Sequence, residues 1–326
     1  MNELKSKPLV SIITPCFNGE TYVHRLLDSV LNQTYGNIEF IFVNDGSTDR
    51  TEDIVLSYKE RFEGKGIKFT YLYQENAGQA AAVNKALKLF KGDYLTWPDS
   101  DDWMSDDCIE KKVNFLEEHK EHSIVMCRIA VVNESNTDDT VATLYRRYVD
   151  QHDLFDDFIT ERDVYFAPVG YMVRSCDFLD ALPSRDIYEG RGGQNWQLLL
   201  PISYKYTCGY IDEILGYYLT RASSHSRSDK TYIKLLDKYK AHEEILTNTL
   251  QTVCMSEDER EYYAKLIDKK YSEIRFSLAF SYGDRNLLKE SYDKTYKGQK
   301  APLKVRIKYI FGRSRILYWI YKKIRK

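Results

Sequence analysis

Apolar and polar positions alternate in blocks along the first hundred residues. LVSIITPCF (9–17), IEFIFVND (38–45), IKFTYLYQ (67–74) and DYLTW (93–97) are short runs rich in β-branched and aromatic residues, which reads as strands. Between them, ETYVHRLLDSVLNQ (20–33) sets Val23, Leu26, Leu27, Val30 and Leu31 at helical spacing. STDRTEDIVLSYKERF (47–62) opens on capping residues and carries Ile54, Val55, Tyr58 and Phe62 on one face. GQAAAVNKALKLF (78–90) is Ala-rich and helical. Strand–helix alternation with nearly continuous apolar strands predicts an α/β fold, a mostly parallel sheet sandwiched by helices.

Further along, SDDCIEKKVNFLEEH (105–119) predicts a helix and SIVMCRIAVV (123–132) a strand. The pattern weakens over 133–160, where NESNTDD reads as a loop. YFAPVGYMV (165–173) predicts a strand, and NWQLLLPISY (195–204) a helix as far as Pro201. Residues 228–296 are polar, with helical periodicity and no strand runs. The expected organisation is a nucleotide-binding and catalytic region over 1–227, a helical appendix over 228–299 and a distinct tail over 300–326.

Composition changes this picture little. Of 326 residues, 43% are hydrophobic and 29% charged, as in ordinary soluble domains. No apolar run reaches the roughly 20 residues of a membrane span, and MNELKSKPLVSI lacks the apolar core of a secretion signal. Cys16, Cys108, Cys127, Cys176, Cys208 and Cys254 form no CxxC pair, so reduced thiols and a cytoplasmic setting are expected. Charge matters more. The net charge is −2, yet 300–326 holds ten Lys/Arg and no Asp or Glu, leaving 37 basic against 49 acidic residues elsewhere. An acidic body carries a basic tail.

The candidate chemistry lies just after the predicted strands. The first ends in Thr14, Pro15, Cys16, Phe17 and Asn18; the second in NDGSTD (44–49); the third in ENAGQ (75–79); the fourth in DSDDW (99–103). Each loop alone is ordinary turn chemistry. Four on one sheet edge form a cleft, because ligands of parallel sheets sit beyond the carboxyl ends of the strands. Asp45 is a short acceptor suited to a base N–H or a ribose hydroxyl. Asn76 and Gly78 suggest close backbone approach to a ligand. Asp99 and Asp101, with Ser100 between, fall at i and i+2, so in an extended segment both carboxylates face one side. That oxygen pair suits a hard cation, Mn²⁺ or Mg²⁺.

VSIITPCFN, FVNDGSTD, ENAGQAAAVNKAL and GDYLTWPDSDDW, in this order and spacing, closely resemble the family 2 glycosyltransferases of the GT-A fold, of the kind that build bacterial surface polysaccharides. The resemblance covers roughly residues 8–225. It implies a nucleotide-sugar donor, a divalent metal and inversion at the anomeric carbon. It would place Thr14, Pro15 and Asn18 in the nucleotide pocket, Asp45 on the base, and Asn76, Gly78 and Asn84 near the donor. It would put Asp99 near the ribose or sugar, with Ser100 and Trp103 beside it, and Asp101 on the metal, with Asp102 turned away to support the loop. CGYIDEILGYYLTRASSHSRS (208–228) resembles the segment closing the family's core, with Arg221 toward the diphosphate and His225 as a further metal ligand.

One stretch departs from the family. In many relatives an acidic residue deprotonates the acceptor hydroxyl, but YEGRGGQNWQ (188–197) has Gln194 and Asn195 there. Amides orient hydroxyls but take up no proton at neutral pH. Glu189 is the expected base, with Asp186 as its rival. The tail PLKVRIKYIFGRSRILYWIYKKIRK (302–326) reads as a basic amphipathic helix that lies on anionic membrane. Packing on the acidic body is the other reading, and that body disfavours nucleic acid. The expected activity is transfer from a nucleotide-diphosphate sugar, UDP-linked in first place, to a glycan or lipid-linked hydroxyl at the inner membrane face. A catalytically impaired donor-binding protein and a nucleotidyltransferase stay open as alternatives. The chain lacks the glycine-rich phosphate loop that the second would carry near its N-terminus.

Overall fold

The computed structural model describes residues 7–190, 193–221, 231–296 and 298–324, without the side chains at 320, 322 and 324. The chain divides into two compact units: one runs to residue 225 and takes in 251–254, and the other holds the remainder.

The first unit opens with β1 (Val10–Cys16), α1 (Val23–Leu31), β2 (Ile38–Asp45), α2 (Thr51–Ser57), α3 (Lys59–Gly64), β3 (Lys68–Gln74), α4 (Gln79–Leu87) and β4 (Tyr94–Thr96). It continues with β5 (Trp103–Met104), α5 (Cys108–Glu118), β6 (His122–Asn133), β7 (Asn136–Leu144), α6 (Phe155–Thr160), β8 (Tyr171–Arg174), α7 (Ser175–Ala181), α8 (Gln194–Lys205) and β9 (Thr207–Thr220). Among the described residues the strands form one sheet in the order β3-β2-β1-β4-β8-β6-β9-β5, with β7 on β6. The β3-β2-β1-β4 half is parallel. Beyond it, β8 runs antiparallel to β4 and β6, while β6 and β9 are parallel.

Burial explains the sequence pattern. β1 and β2 are buried at every position, hence their unbroken apolar runs. β3 lies at the sheet edge and alternates between exposed and half-buried. α1 buries Val23, Leu26, Leu27, Val30 and Leu31. The helix expected over 47–62 is two: the bond tightens at Tyr58, whose N–H reaches Val55 O, a 3₁₀-type step. NESNTDD is not a plain loop. Asn133 Oδ1 accepts from Ser135 N–H, turning the chain into β7, whose mostly exposed polar residues hide the strand period. In 165–173 only the end is strand, because Pro168–Gly170 winds into a 3₁₀ turn. α8 runs past Pro201 to Lys205, since Leu198, Leu199, Leu200 and Ile202 are all buried and their packing offsets the roughly 3 kcal/mol a helical proline costs.

The second unit is helical: α9 (Tyr232–Thr252), α10 (Glu257–Tyr282), α11 (Arg285–Tyr296), α12 (Leu303–Arg313) and α13 (Arg315–Ile324). Ser256 and Glu259 form a reciprocal capping box at the start of α10, and Gly283 ends it at φ +80°. Phe276, Ala279, Phe280 and Leu288 form its core. The tail expected as one helix is two. Ser314 is extended (φ −102°, ψ 129°), and its hydroxyl accepts from Leu317 N–H to cap α13.

Candidate active site

The four strand-end loops are tied to one another in sequence. Thr14 Oγ1 donates to Pro98 O at 3.0 Å, joining β1 to the β4 end. Asn18 Oδ1 accepts from Thr48 N–H (2.8 Å) and Asn18 N–H donates to Ser47 Oγ (2.9 Å), joining the first loop to the second. Asp45 is buried, and its carboxylate accepts from Gln74 Nε2, Ala77 N–H and Gly78 N–H at 2.8–2.9 Å. Asn76 Nδ2 donates to Asp45 O. The second and third loops are thus one structure. Two glycines allow it. Gly78 sits at φ +95°, and a Cβ on Gly46 (φ +73°) would come within 2.6 Å of Asn76 N. Gln79, first in α4, donates through Nε2 to Asp99 Oδ1 at 2.5 Å.

The fourth loop carries the charge. Asp101 Oδ2 meets Arg221 Nη2 at 2.5 Å. The guanidinium lies 4.4 Å from the Tyr22 ring centre, and Tyr22 donates to Glu134 Oε1. Arg221 Nε is buried without a hydrogen-bond partner. Asp102 is fully buried; its Oδ1 accepts Leu219 N–H at 3.0 Å, while Oδ2 has no partner. It ties the loop to β9. Burial, then the charge of Asp101, pushes the Asp99 carboxyl up to about 7. Burial, then Asp101 and Asp99, pushes Asp102 well up too. Asp99 and Asp101 supply oxygen donors on this loop, a ligand type that suits a hard divalent cation, while Asp102 is turned to β9. Among the described residues no group of three or more His, Cys, Asp or Glu side chains forms a ready metal cage. His225 lies outside the described residues.

The expected acceptor side is held by three side-chain amides. Asn84, buried on α4, accepts Ile187 N–H and donates to Ile187 O. Its Nδ2 also lies 3.4 Å from Glu189 Oε1, and Glu189 is exposed. Asn195, near the start of α8, accepts the Trp97 indole N–H at 2.9 Å and donates to Phe166 O. Gln197 clamps both backbone groups of Tyr188. Asn84 and Gln197 therefore hold this loop at Ile187 and Tyr188, while the Asn195 amide joins the end of β4 to Phe166. Gln194 is buried at the first turn of α8.

The remaining expected residues sit beside these walls. Pro15 is buried within β1, opposite Val43. Ser100 hydrogen-bonds the Cys16 thiol, which burial pushes up to about 12. Trp103 stacks on Tyr217, with ring centres 5.2 Å apart. Gln79, Gln197 and Tyr22 are contacts that motif spacing does not single out. Gln79 was legible as the residue following Gly78; the other two become neighbours of the site only through the fold.

The glycosyl transferase family 2 model matches residues 11–182, more than half of the chain. An uncharacterized glycosyltransferase of Rickettsia typhi is 41% identical over 137 residues, covering 42% of this chain and 41% of that protein. Glycosyltransferase GlyA of Streptococcus pneumoniae is 43% identical over 101 residues, 31% of this chain and 14% of that protein. The matched segment is thus less than half of these relatives. Among solved structures, S. aureus TarS 1-349 in complex with UDP-GlcNAc aligns with a TM-score of 0.66 at 19% identity, over 97% of this chain and 92% of that one. Mannosyltransferase PcManGT from Pyrobaculum calidifontis, in complex with GDP-Man and Mn²⁺, aligns with a TM-score of 0.54 at 15% identity, over 99% and 89%. At these identities the likeness is one of fold, and that fold is GT-A.

Proposed function

Because the chain belongs to glycosyl transferase family 2, we propose that it moves a sugar, with inversion, from a nucleotide-diphosphate sugar to a hydroxyl of a glycan or lipid-linked glycan in cell-surface polysaccharide synthesis. The observation that carries this reading is the Asp101–Arg221 pair at the meeting point of the cross-tied loops. UDP is the favoured nucleotide, since the TarS complexes hold UDP-GlcNAc and UDP.

In this reading the cleft between the loops of Asn18, Asp45 and Gly78 takes the nucleotide, with Asp99 toward the ribose or sugar. Asp101, with His225, would hold Mn²⁺ or Mg²⁺, whose positive charge would stabilise the departing diphosphate. Arg221 leaves Asp101 for the diphosphate, where its unpartnered Nε gains an acceptor and the guanidinium meets developing negative charge. Glu189 takes the proton of the acceptor hydroxyl. That oxygen then bonds to the anomeric carbon as the bond to the diphosphate oxygen breaks on the opposite face. The basic tail keeps the enzyme peripheral at the inner membrane face, near a lipid-linked acceptor.

The test is release of nucleoside diphosphate from a panel of UDP-, GDP- and dTDP-sugars, with Mn²⁺ or Mg²⁺ and with a chelator. Metal-dependent release from one of them supports the reading. Pyrophosphate release from a nucleoside triphosphate would point instead to nucleotidyl transfer.

A further inference from the structure

We propose that α12 and α13 form a preformed two-helix platform that docks on an anionic lipid surface. The inference deepens the membrane part of the reading above and rests on it for its biological purpose only.

Each tail helix has one committed face and one open face. On the committed side, Val305, Tyr309, Phe311, Tyr318 and Tyr321 pack against the core of Phe276, Phe280 and Leu288. Tyr309 stacks on Tyr292 with ring centres 3.8 Å apart. Gly312 lets α12 lie close, since a Cβ there would come 2.5 Å from Leu288. The tail is therefore part of the folded unit, which settles one half of the choice posed by its sequence.

The open side is apolar as well. Leu303, Ile307 and Ile310 fall at i, i+4 and i+7 on α12, the same-face spacing of a helix. Leu303 is 70% exposed and Ile310 56%. On α13, Ile316 is 72% exposed and Trp319 57%. Exposed Lys304, Arg306, Arg313, Arg315 and Lys323 lie among them, with Lys323 3.9 Å from the Trp319 ring centre. Large apolar side chains at this exposure call for a cover. Residues 300–326 hold no Asp or Glu, so the cover complementary to them is anionic. Apolar side chains flanked by Lys and Arg, with an exposed Trp, match the interface of an anionic bilayer, where rings and aliphatic chains sink to headgroup level and cations meet phosphate. No described helix is long and apolar enough to cross a membrane, so the platform lies on the surface.

The test is co-sedimentation of the full chain with phosphatidylglycerol vesicles and with phosphatidylcholine vesicles, at low and high salt. Binding to the first alone, weakened by salt, is expected. Ile310→Gln with Ile316→Gln and Trp319→Gln, and separately Lys304→Glu with Arg306→Glu and Arg313→Glu, should each weaken binding about tenfold or more. Because these residues are exposed, the circular dichroism and melting of the variants should match the parent, and vesicles should add no helicity. Absence of vesicle binding by the parent overturns the proposal. So does parental binding by either triple variant, or capture of a DNA duplex that competes fully with vesicles. Self-association that the Gln variants abolish, without vesicle binding, assigns the face to a second copy and also overturns it. Nucleoside diphosphate release is measured alongside. Vesicle binding without release faults the transferase reading, and release without vesicle binding faults the platform.

Discussion

The two walls of the candidate site are built differently. The donor-side wall is a run of loops bonded to one another: Asn18 to Thr48, Asp45 to Gly78, Gln79 to Asp99, Asp101 to Arg221 and Asp102 to Leu219. The acceptor-side wall hangs from Asn84 and Gln197 and presents two exposed carboxylates, Glu189 and Asp186, the second paired with Lys88. α4 connects them: Gln79 touches the first wall and Asn84 the second, about 7.5 Å apart along the helix. A rigid wall suits recognition of a fixed nucleotide, because groups held in place need no reorganisation when charge develops. Glu189 stands on a separate loop, where its carboxylate lies against Asn84. Binding and chemistry should therefore separate on mutation.

The largest effect is expected at Asp101. Asp101→Asn should lower turnover by about a thousandfold, at the upper end of the loss of one electrostatic group, with the melting temperature little changed. Near-parental turnover would remove the donor wall from the chemistry. Glu189→Gln should lower transfer by about a hundredfold or more while leaving nucleotide affinity intact, as measured by calorimetry. Lost nucleotide affinity would break the division between the walls. Asp45→Ala removes the acceptor of three buried hydrogen bonds, so it should destabilise the chain by about 3 kcal/mol in chemical denaturation and weaken nucleotide binding. Asn195→Ala strands the Trp97 indole. It should cost about 1–2 kcal/mol and lower nucleotide binding as well as transfer, because Trp97 directly precedes the Pro98 carbonyl that Thr14 grips at the end of β4.

The smallest effect lies away from both walls. Burial, then the charge of His152, holds the His122 pKa below its ordinary value. The folded ring stays neutral where the unfolded one takes a proton, so stability is present above about pH 6.5 and is lost as pH falls below it. His122→Gln should reduce the drop in melting temperature between pH 7.5 and 5.5 by about 1–2 °C, with nucleotide affinity unchanged at either pH.

Much of the donor wall is legible in the sequence, because strand ends, turn residues and closely spaced acids are local signals. β1 and β2 announce themselves through unbroken apolar runs, and DSDD follows directly from a buried strand. What the sequence hides is where side chains turn after folding. Asp45 reads as a ligand acceptor, and its oxygens also hold Gln74, Ala77 and Gly78. The Asn84 amide reaches 103 residues away to the backbone of Ile187, and the Asn195 amide 98 residues back to the Trp97 indole. The ion pair of Asp101 and Arg221 spans 120 residues and has no local trace. β7 escapes because an exposed polar strand carries no period-two contrast. The break between α12 and α13 rests on one serine whose cap is visible only once Leu317 is placed.

In the proposed reading Asp101 gives up Arg221 and would hold Mn²⁺ when a nucleoside diphosphate binds. That reading is tested most directly by the paramagnetic resonance signal of free Mn²⁺, titrated with the protein alone and with UDP, GDP or dTDP present. Weak Mn²⁺ uptake by the protein alone, strong uptake with one of the nucleotides, and loss of that uptake in Asp101→Asn are expected. Undiminished nucleotide-dependent uptake in Asp101→Asn would contradict the reading.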